Sequence, residues 1–366
     1  MKWSLRLGSV AGIGIFLHWT FLILVGWIFM GQLGQGEDLL AALRGVAFIL
    51  ALFGCVVLHE LGHALTARRY GIRTRDITIL PIGGVARLER MPEKPMQELW
   101  VALAGPAVNV VIAGILFALV IALVGWGELS RVELTQGHFF VRLLWVNLLL
   151  VAFNLLPAFP MDGGRVLRAL LASRMGRPRA TAIAAKVGQA MAILFAIFGF
   201  FYNPMLMFIA LFVYLGAQAE AQMVEVSSLI EGLMVRNAMM THFRSLAADD
   251  LLSTAIQELL AGSQQDFPVL EGDRVVGILR RNDLVKALAE VGRETSVESA
   301  MCRDCTVVHA SDPLEKGFEV LRQGVCTTVP VLDNGRLVGL LTLENLGELV
   351  MVNSSLRRSK IISSGP

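Results

Sequence analysis

Long apolar stretches constrain this chain more than any other feature. Six of them approach or exceed the roughly 20 residues that a helix needs to cross a lipid bilayer. The sequence predicts membrane-spanning helices at residues 10–30, 45–67, 99–124, 139–159, 183–202 and 205–221. The first stretch is too long for a signal peptide and lacks a cleavage site of small residues, so we expect it in the mature protein.

The composition supports a membrane protein and excludes several other classes. Apolar residues make up 55% of the 366 residues and charged residues 17%, whereas an average soluble domain has about 25% charged residues. A disordered chain has a low hydrophobicity, which this chain lacks. The net charge of +2 offers no basic excess for binding nucleic acid, and four cysteines are too few for a disulfide scaffold. A lipid bilayer is therefore the expected environment.

The basic residues predict which side of the membrane each loop occupies. Clusters of Lys and Arg precede the first predicted span, follow the second and follow the fourth. The intervening loops hold only Arg44, Arg131 and Arg142. Because cytoplasmic loops carry the excess of Lys and Arg, we expect both termini in the cytoplasm and the protein in the cell membrane.

The C-terminal third contains an internal repeat. From about Gly232, charged residues and short amphipathic segments replace the long apolar runs. A shift of 62 residues aligns the Pro-Val-Leu segment at Pro268 with the one at Pro330, and such self-similarity indicates repeated structural units. We therefore predict a polytopic α-helical membrane domain of about six transmembrane helices, followed by a pair of cytoplasmic α+β units. The predicted bounds are 1–225 for the membrane domain, 232–290 and 294–352 for the two repeats, and 353–366 for a polar tail.

The second predicted span contains the motif His59-Glu60-Leu61-Gly62-His63. Residues four apart lie on the same face of a helix, so both imidazoles can bind one Zn²⁺. Glu60 is placed to take a proton from water activated by the metal, as in hydrolases that carry HExxH. Ionisable groups inside a membrane helix are costly and by default mark a functional site. A chance match on a polar helix face is the weaker interpretation.

A third ligand is expected, since catalytic zinc sites commonly have three protein ligands and one open position. The candidate is Asp162, which has two prolines before it and two glycines after it. Irregular backbone at membrane depth requires protein or a water-filled cavity around it. The residues alone leave two interpretations open: Asp162 is a metal ligand, or it caps a helix that begins at Gly163.

Several motifs together resemble the site-2 protease family of intramembrane zinc metalloproteases. The resemblance is to the bacterial and archaeal branch that carries C-terminal cystathionine-β-synthase-type (CBS) domains, and it covers nearly the whole chain. The motifs are HELGH, the segment NLLPAFPMDGG at 154–164, the repeat pair, HWTF at 18–21, LPIGGVA at 80–86 and AGPAVN at 104–109. The resemblance implies that His59, His63 and Asp162 bind one zinc ion per chain and that Glu60 is catalytic.

The resemblance also implies a substrate and its mode of approach. The expected activity is endopeptidase cleavage of a single-span membrane protein, typically a membrane-bound regulator such as an anti-sigma factor. Residues 74–89 predict a short hairpin, whose edge strand resembles a pairing surface for an unwound substrate; a surface loop without a substrate role is the alternative. Two roles are open for Asn109: a hydrogen bond to the substrate backbone or the oxyanion, or a pairing with a neighbouring helix. For Asn147 we expect the pairing with a neighbouring helix.

The CBS pair suggests a nucleotide site. In such pairs an adenosine ligand typically lies between the repeats, and an Asp at the end of a Gly-x-x-Thr/Ser-x-x-Asp stretch holds its ribose. The first repeat keeps this Asp as Asp283 but has Arg280 at the hydroxyl position, whereas the second keeps Thr342 but has Asn345 in place of the Asp. We expect at most one adenine-nucleotide site, centred on Asp283, with Arg280 and Arg281 near the phosphates. The alternative is a pair that only forms homodimers.

Two other functions compete with proteolysis. A transporter or channel gated by CBS domains accounts for polar residues in the membrane, but it gives no reason for Glu60 to lie between two histidines. Intact Glu60 also argues against a catalytically silent scaffold. A metal or redox role for Cys302 and Cys305 is disfavoured, because zinc needs two further ligands. Cys55, one helical turn before His59, is expected to pack rather than to bind metal.

Overall fold

The computed structural model describes residues 4–36, 38–89, 92, 94–123, 138–322 and 327–363. The chain forms two compact units, Met1–Val224 and Glu225–Pro366. The N-terminal unit is mainly helical with one small sheet, and the C-terminal unit is α+β.

The N-terminal unit begins with a hairpin. β1 (Ser4–Val10) pairs with β2 (Ile13–His18), and the turn between them holds two residues at positive φ. The first helix, α1 (Trp19–Gly34), begins only after His18, which is its N-cap. The predicted span at residues 10–30 is therefore wrong over its first part, because the apolar residues of a partly buried hairpin have the hydropathy of a helix that crosses the membrane.

Six further helices follow in the described part of this unit. They are α2 (Leu39–Arg69), α3 (Pro95–Leu123), α4 (Phe139–Asn154), α5 (Asp162–Met175), α6 (Arg177–Tyr202) and α7 (Pro204–Ile230). Among the described helices, α2, α3, α6 and α7 are long and apolar enough to cross a membrane. The apolar helices α1 and α4 have 16 residues each, or about 24 Å of helix, against a hydrocarbon core of about 30 Å. Four candidate spans and two shorter apolar helices thus correspond to the six predicted spans.

A four-stranded sheet packs against α2. β3 (Thr74–Leu80) and β4 (Gly83–Leu88) form the predicted antiparallel hairpin, and β3 pairs in parallel with β2. The strand order is β1-β2-β3-β4, so β4 lies at an edge of the sheet. Buried Ile77 of β3 packs with Leu61 and Ala64 of α2. The sheet is therefore attached to the helix that carries HELGH.

The helices α2 and α3 approach each other closely at Gly62. A Cβ atom at this position would lie 2.8 Å from the carbonyl oxygen of Ala104 and 2.8 Å from Cγ2 of Val108. Small residues allow such close approach between helices in membranes. The glycine within HELGH therefore serves packing, whereas the polar residues of the motif face other partners.

The C-terminal unit consists of two repeats with the same order of elements. The first contains β5 (Leu246–Ala247), α8 (Leu252–Ala261), β6 (Phe267–Glu271), β7 (Arg274–Leu279) and α9 (Arg281–Glu290). After α10 (Val297–Ala300), the second contains β8 (Val308–His309), α11 (Leu314–Arg322), β9 (Thr328–Asp333), β10 (Arg336–Thr342) and α12 (Leu343–Ser363). Helix α12 continues through most of the predicted polar tail.

The two repeats exchange contacts through their N-terminal segments. Met240, near the start of the first repeat, bonds Leu340 in β10 of the second through two backbone hydrogen bonds of 2.8 and 3.0 Å. Cys302, near the start of the second repeat, bonds Ile278 in β7 of the first in the same way, at 2.9 and 3.0 Å. Each three-stranded sheet thus gains a bridge from the other half, and the repeats form one structural pair.

Candidate metal centre

Three buried side chains from two helices meet in the N-terminal unit. His59 and His63 lie on α2, and Asp162 is the first residue of α5. The two histidine Nε2 atoms are 3.0 Å apart, and each is 3.1 Å from Oδ2 of Asp162. The structure therefore brings together the three residues that the sequence predicts as ligands, although Asp162 is about a hundred residues away along the chain.

This donor set fits a zinc ion. Ligand atoms at about 2.0–2.2 Å from a tetrahedral zinc stand roughly 3.3–3.6 Å apart, close to the distances between these three atoms. Lone pairs of two imidazoles and a carboxylate repel each other at such distances unless a cation lies among them. Two histidines and one carboxylate are also the protein ligands of many catalytic zinc sites, which keep a further position open.

Both histidine rings are oriented by partners on α3. Nδ1 of His63 donates to the carbonyl oxygen of Val101 at 2.7 Å, and Nδ1 of His59 donates to Oδ1 of Asn109 at 2.9 Å. A proton on Nδ1 leaves the lone pair on Nε2, the atom that faces the cluster. The amide nitrogen of Asn109 donates to Oδ1 of Asn147 at 3.2 Å. Both polar atoms of Asn109 are therefore engaged within the protein, one of them as a support for His59.

The turn between α4 and α5 brings Asp162 to the histidines. A Cβ atom at Gly163 would lie 2.2 Å from the carbonyl oxygen of Leu156, and one at Gly164 would lie 2.6 Å from the backbone of Ala158. The two glycines thus let this turn pack directly against the first turn of α5. Met161, and not Asp162, occupies the N-cap position, while the Asp162 carboxylate bonds the histidines. The capping interpretation does not match this arrangement.

Glu60 lies beside the edge strand β4. A Cβ atom at Gly84 would be 2.8 Å from Cγ of Glu60 and 3.0 Å from Cγ1 of Val56. Only a glycine therefore allows the strand to approach α2 this closely. Because β4 is an edge strand, a free sheet edge lies near the residue that the sequence predicts to be the catalytic base.

Gly105 of α3 lies directly against the two histidines. A Cβ atom there would be 2.2 Å from Nε2 of His63 and 2.6 Å from Nε2 of His59. Gly105→Ala is expected to lower zinc affinity by about one to two orders of magnitude, since overpacking typically costs about 1–3 kcal/mol. Zinc titration of the purified protein checks this. Gly114→Ala on the same helix is the control, because its added Cβ would meet no atom within 4 Å beyond its chain neighbours and the nearby backbone of its own helix. Equal zinc affinity of all three proteins would contradict the prediction.

The structure reveals a buried ionic network that the sequence analysis missed. Arg168 of α5 is fully buried, and its Nε donates to Oε1 of Glu98 on α3 at 2.7 Å. It also pairs with Glu220 of α7 and lies 5.0 Å from the ring centre of Phe159. In the sequence, Arg168 belongs to the basic cluster that follows the fourth predicted span. The signal that could have identified it is the presence of two carboxylates, Glu98 and Glu220, next to apolar runs.

The predicted nucleotide-binding residues lie in the C-terminal unit and form two local pairs. Arg280 and Asp283 form a fork, with Nε–Oδ2 and Nη2–Oδ1 distances of 2.5 and 3.0 Å. The hydroxyl of Thr342 donates to Oδ1 of Asn345 at 2.7 Å. A buried carboxylate that the sequence analysis also missed, Asp266, accepts from the hydroxyl of Thr328 in the other repeat at 2.8 Å.

The site defines a class of protein. Three features are those of a membrane-embedded metalloprotease. They are an apolar helix with two histidines and a glutamate, a carboxylate from a second helix, and an open sheet edge near the glutamate. The chain belongs to peptidase family M50, whose sequence profile matches residues 47–137 and 129–198, and it carries CBS domains at residues 235–290 and 297–351.

The chain is also similar to individual known proteins. A zinc metalloprotease of Methanocaldococcus jannaschii is 33% identical over 344 residues, which cover 93% of this chain and 94% of that protein. Stage IV sporulation protein FB of Bacillus subtilis is 29% identical over 157 residues, or 43% of this chain and 51% of that protein. The solved site-2 protease from Methanocaldococcus jannaschii is 36% identical and covers 60% of this chain and 95% of that chain, with a TM-score of 0.44. The predicted family is confirmed, and the protein is an intramembrane zinc metalloprotease.

Proposed function

We propose that this protein cleaves a single-span membrane protein at a site where His59, His63 and Asp162 bind one zinc ion and Glu60 is the general base. The observation that carries the proposal is the convergence of the three buried ligand atoms within about 3 Å of one another. A pore or a scaffold does not require two histidines, oriented through their Nδ1 atoms, to present both Nε2 atoms to one carboxylate.

Each side chain of the site has a separate role in hydrolysis of the peptide bond. A bound zinc ion supplies a Lewis acid that polarises the scissile carbonyl and eases deprotonation of water. Glu60 takes the proton from the attacking water and returns it to the nitrogen of the leaving amine. Asn109 and the carbonyl of Val101 hold the two imidazoles in the tautomer that leaves Nε2 free. The amide of Asn109 supports a ligand in this proposal; a direct bond to the oxyanion is the alternative.

The outer edge of β4 receives the substrate. A peptide bond within a helix is shielded by its hydrogen bonds, so a membrane-spanning segment must be locally extended before it is cut. An extended segment can add to a free sheet edge through backbone hydrogen bonds. What supports this role is the close approach between Gly84 of β4 and the side chain of Glu60, which sets the edge beside the base.

The protein crosses the cell membrane six times, with both termini and the CBS pair in the cytoplasm. The four long apolar helices together with α1 and α4 supply the six crossings. The basic loops support the orientation, since Arg68 and Arg69 end α2 directly after the HELGH segment. The catalytic site accordingly lies toward the cytoplasmic side, and water reaches it from that side.

The deciding experiment uses the full-length protein in liposomes with a membrane-anchored test substrate. We expect one zinc per chain and a defined cleavage product that disappears with a chelator and returns with zinc. Ion or solute flux without cleavage would favour the CBS-gated transporter. Bound zinc without cleavage of any substrate, together with a normal fold, would favour the silent scaffold.

The CBS pair has at most one adenine-nucleotide site, centred on Asp283. A carboxylate has about four acceptor positions, so Asp283 can accept ribose hydroxyls while it holds Arg280. The guanidinium of Arg280 is then close enough to meet phosphate, whereas Thr342 is already paired with Asn345 in the second repeat. Occupancy of the site regulates proteolysis, and the pair also forms the homodimer contact.

Calorimetry on the full-length protein in detergent tests this site with ATP, ADP, AMP and S-adenosylmethionine. We expect heat from at least one of these ligands and loss of that heat in Asp283→Ala, because the ribose loses its acceptor. Asp249→Ala, at an exposed position in the same repeat, is the control and should bind as the wild type does. If no ligand gave heat at millimolar concentration, the nucleotide site would be excluded and dimerisation would remain as the role of the CBS pair.

A further inference from the structure

Asn147 of α4 is fully buried and does not touch the metal centre, yet a chain of hydrogen bonds connects it to His59. Its Nδ2 donates to the carbonyl oxygen of Leu143 at 2.8 Å, and its Oδ1 accepts from Nδ2 of Asn109 at 3.2 Å. Oδ1 of Asn109 in turn accepts from Nδ1 of His59 at 2.9 Å. From the sequence, only the pairing of this amide with a neighbouring helix was predicted.

From this chain we infer that Asn147 is a positioning residue, which sets the ring tautomer of His59 through Asn109. The inference rests on the proposed function, because it concerns a ligand of the zinc ion. Each side-chain amide has a donor end and an acceptor end, and it can turn by a half rotation with little change of shape. A further contact must therefore fix which end of Asn109 faces His59.

The backbone carbonyl of Leu143 fixes this orientation. A carbonyl oxygen only accepts hydrogen bonds, so the end of Asn147 that faces it must be the NH₂ group. The oxygen of Asn147 then faces Asn109, so Asn109 must donate to it with its own NH₂ group. The oxygen of Asn109 is left to face His59, so Nδ1 carries the proton and Nε2 keeps its lone pair. This order follows from the carbonyl of Leu143, which can only accept.

A backbone carbonyl thus fixes the tautomer of each histidine, directly for one and through side-chain amides for the other. His63 bonds a carbonyl directly, that of Val101 at 2.7 Å, whereas His59 depends on two amides in series. Sγ of Cys55 lies 3.5 Å from Nδ2 of Asn147 and gives that NH₂ group a second neighbour. Without Asn147, Asn109 is free to turn its NH₂ group toward His59. That arrangement moves the ring proton to Nε2 and removes the lone pair that would bind zinc.

A double-mutant cycle tests this role, with zinc affinity as the readout. In the purified full-length protein, competition with a chromophoric chelator should show that Asn147→Leu lowers zinc affinity by about 10–100-fold, as loss of an outer-shell partner typically does. In Asn109→Asp, both side-chain oxygens accept, so the side that faces His59 no longer depends on Asn147. In that background the oxygen of Asn147 faces a carboxylate oxygen, so two acceptors meet and Asn147→Leu removes a repulsive contact. The substitution should therefore lower zinc affinity by no more than about twofold, the usual limit for independent sites.

A matched control separates this effect from general loss of packing. Thr181 of α6 is also buried, and its hydroxyl donates to the carbonyl of Arg177 one helical turn earlier, at 2.9 Å. Thr181→Val should leave zinc affinity unchanged even if thermal stability falls. Should leucine at position 147 prevent folding, Asn147→Ala carries the same expectation. Wild-type zinc affinity in the position-147 variant, or an equal loss in both backgrounds of the cycle, would overturn the role of Asn147. Failure of the wild type itself to bind zinc would instead overturn the proposed function.

Discussion

Replacing Glu60 with glutamine is expected to slow cleavage of a membrane-anchored substrate by about 10²–10⁴-fold, the usual contribution of a general base. Glutamine has nearly the same shape as glutamate, but its amide cannot take the proton from the attacking water. Because the proposed zinc ligands are His59, His63 and Asp162, the variant should retain one zinc per chain. Initial cleavage rates in liposomes, together with zinc content by elemental analysis, measure both quantities.

The control for this experiment is Glu225→Gln, because Glu225 is exposed on α7. It makes the same change of charge away from the metal centre and should cleave at the wild-type rate. Activity of the Glu60 variant within a factor of a few of the wild type would exclude Glu60 as the base. A loss of zinc in that variant would show instead that Glu60 contributes to metal binding.

The second large effect concerns the metal itself. His59→Ala and His63→Ala should each reduce zinc content from one per chain to nearly none and abolish cleavage. Loss of an outer-shell partner already lowers metal affinity by about 10–100-fold, and removal of a direct ligand must cost more. Asp162→Ala should weaken zinc binding by at least a similar factor, because its Oδ2 lies 3.1 Å from both Nε2 atoms. Dialysis against a zinc buffer followed by elemental analysis gives the stoichiometry.

His242→Ala serves as the control for these variants, since His242 is exposed in the C-terminal unit. It should keep one zinc per chain and full activity. Normal zinc binding and cleavage by Asp162→Ala would restrict that residue to a structural role at the start of α5. If instead all three ligand variants lost zinc but still cleaved the substrate, the metal would have no part in catalysis and the proposed mechanism would fail.

Local patterns explain why part of the site was predictable. His59 and His63 are four residues apart on one helix, so their common face follows from helix geometry alone. The internal repeat was equally visible, because each half repeats its turn and strand residues at a constant offset, and the structure has the same element order in both halves. The hairpin at residues 74–89 followed from alternating polarity.

Hydropathy was a poorer guide to the ends of the spans. It cannot distinguish an apolar strand from an apolar helix in a short segment, and residues 4–18 form a hairpin that the first predicted span partly included. It also extended the fourth span to residue 159, whereas α4 ends at Asn154. The following turn packs against Gly163 and Gly164, and no periodicity in the sequence encodes that contact.

The sequence by itself determined the helical membrane class, the paired repeats and the three polar residues of HELGH, because each depends on neighbours within a few residues or on a simple offset. Only the tertiary structure decided the partners that come from other helices. It brought Asp162 to the histidines, joined Asn109 and Asn147 to His59, and buried Arg168 against Glu98 and Glu220. Contacts between distant segments depend on how helices pack and on which way each side chain turns, and a buried polar group must find a partner wherever packing supplies one.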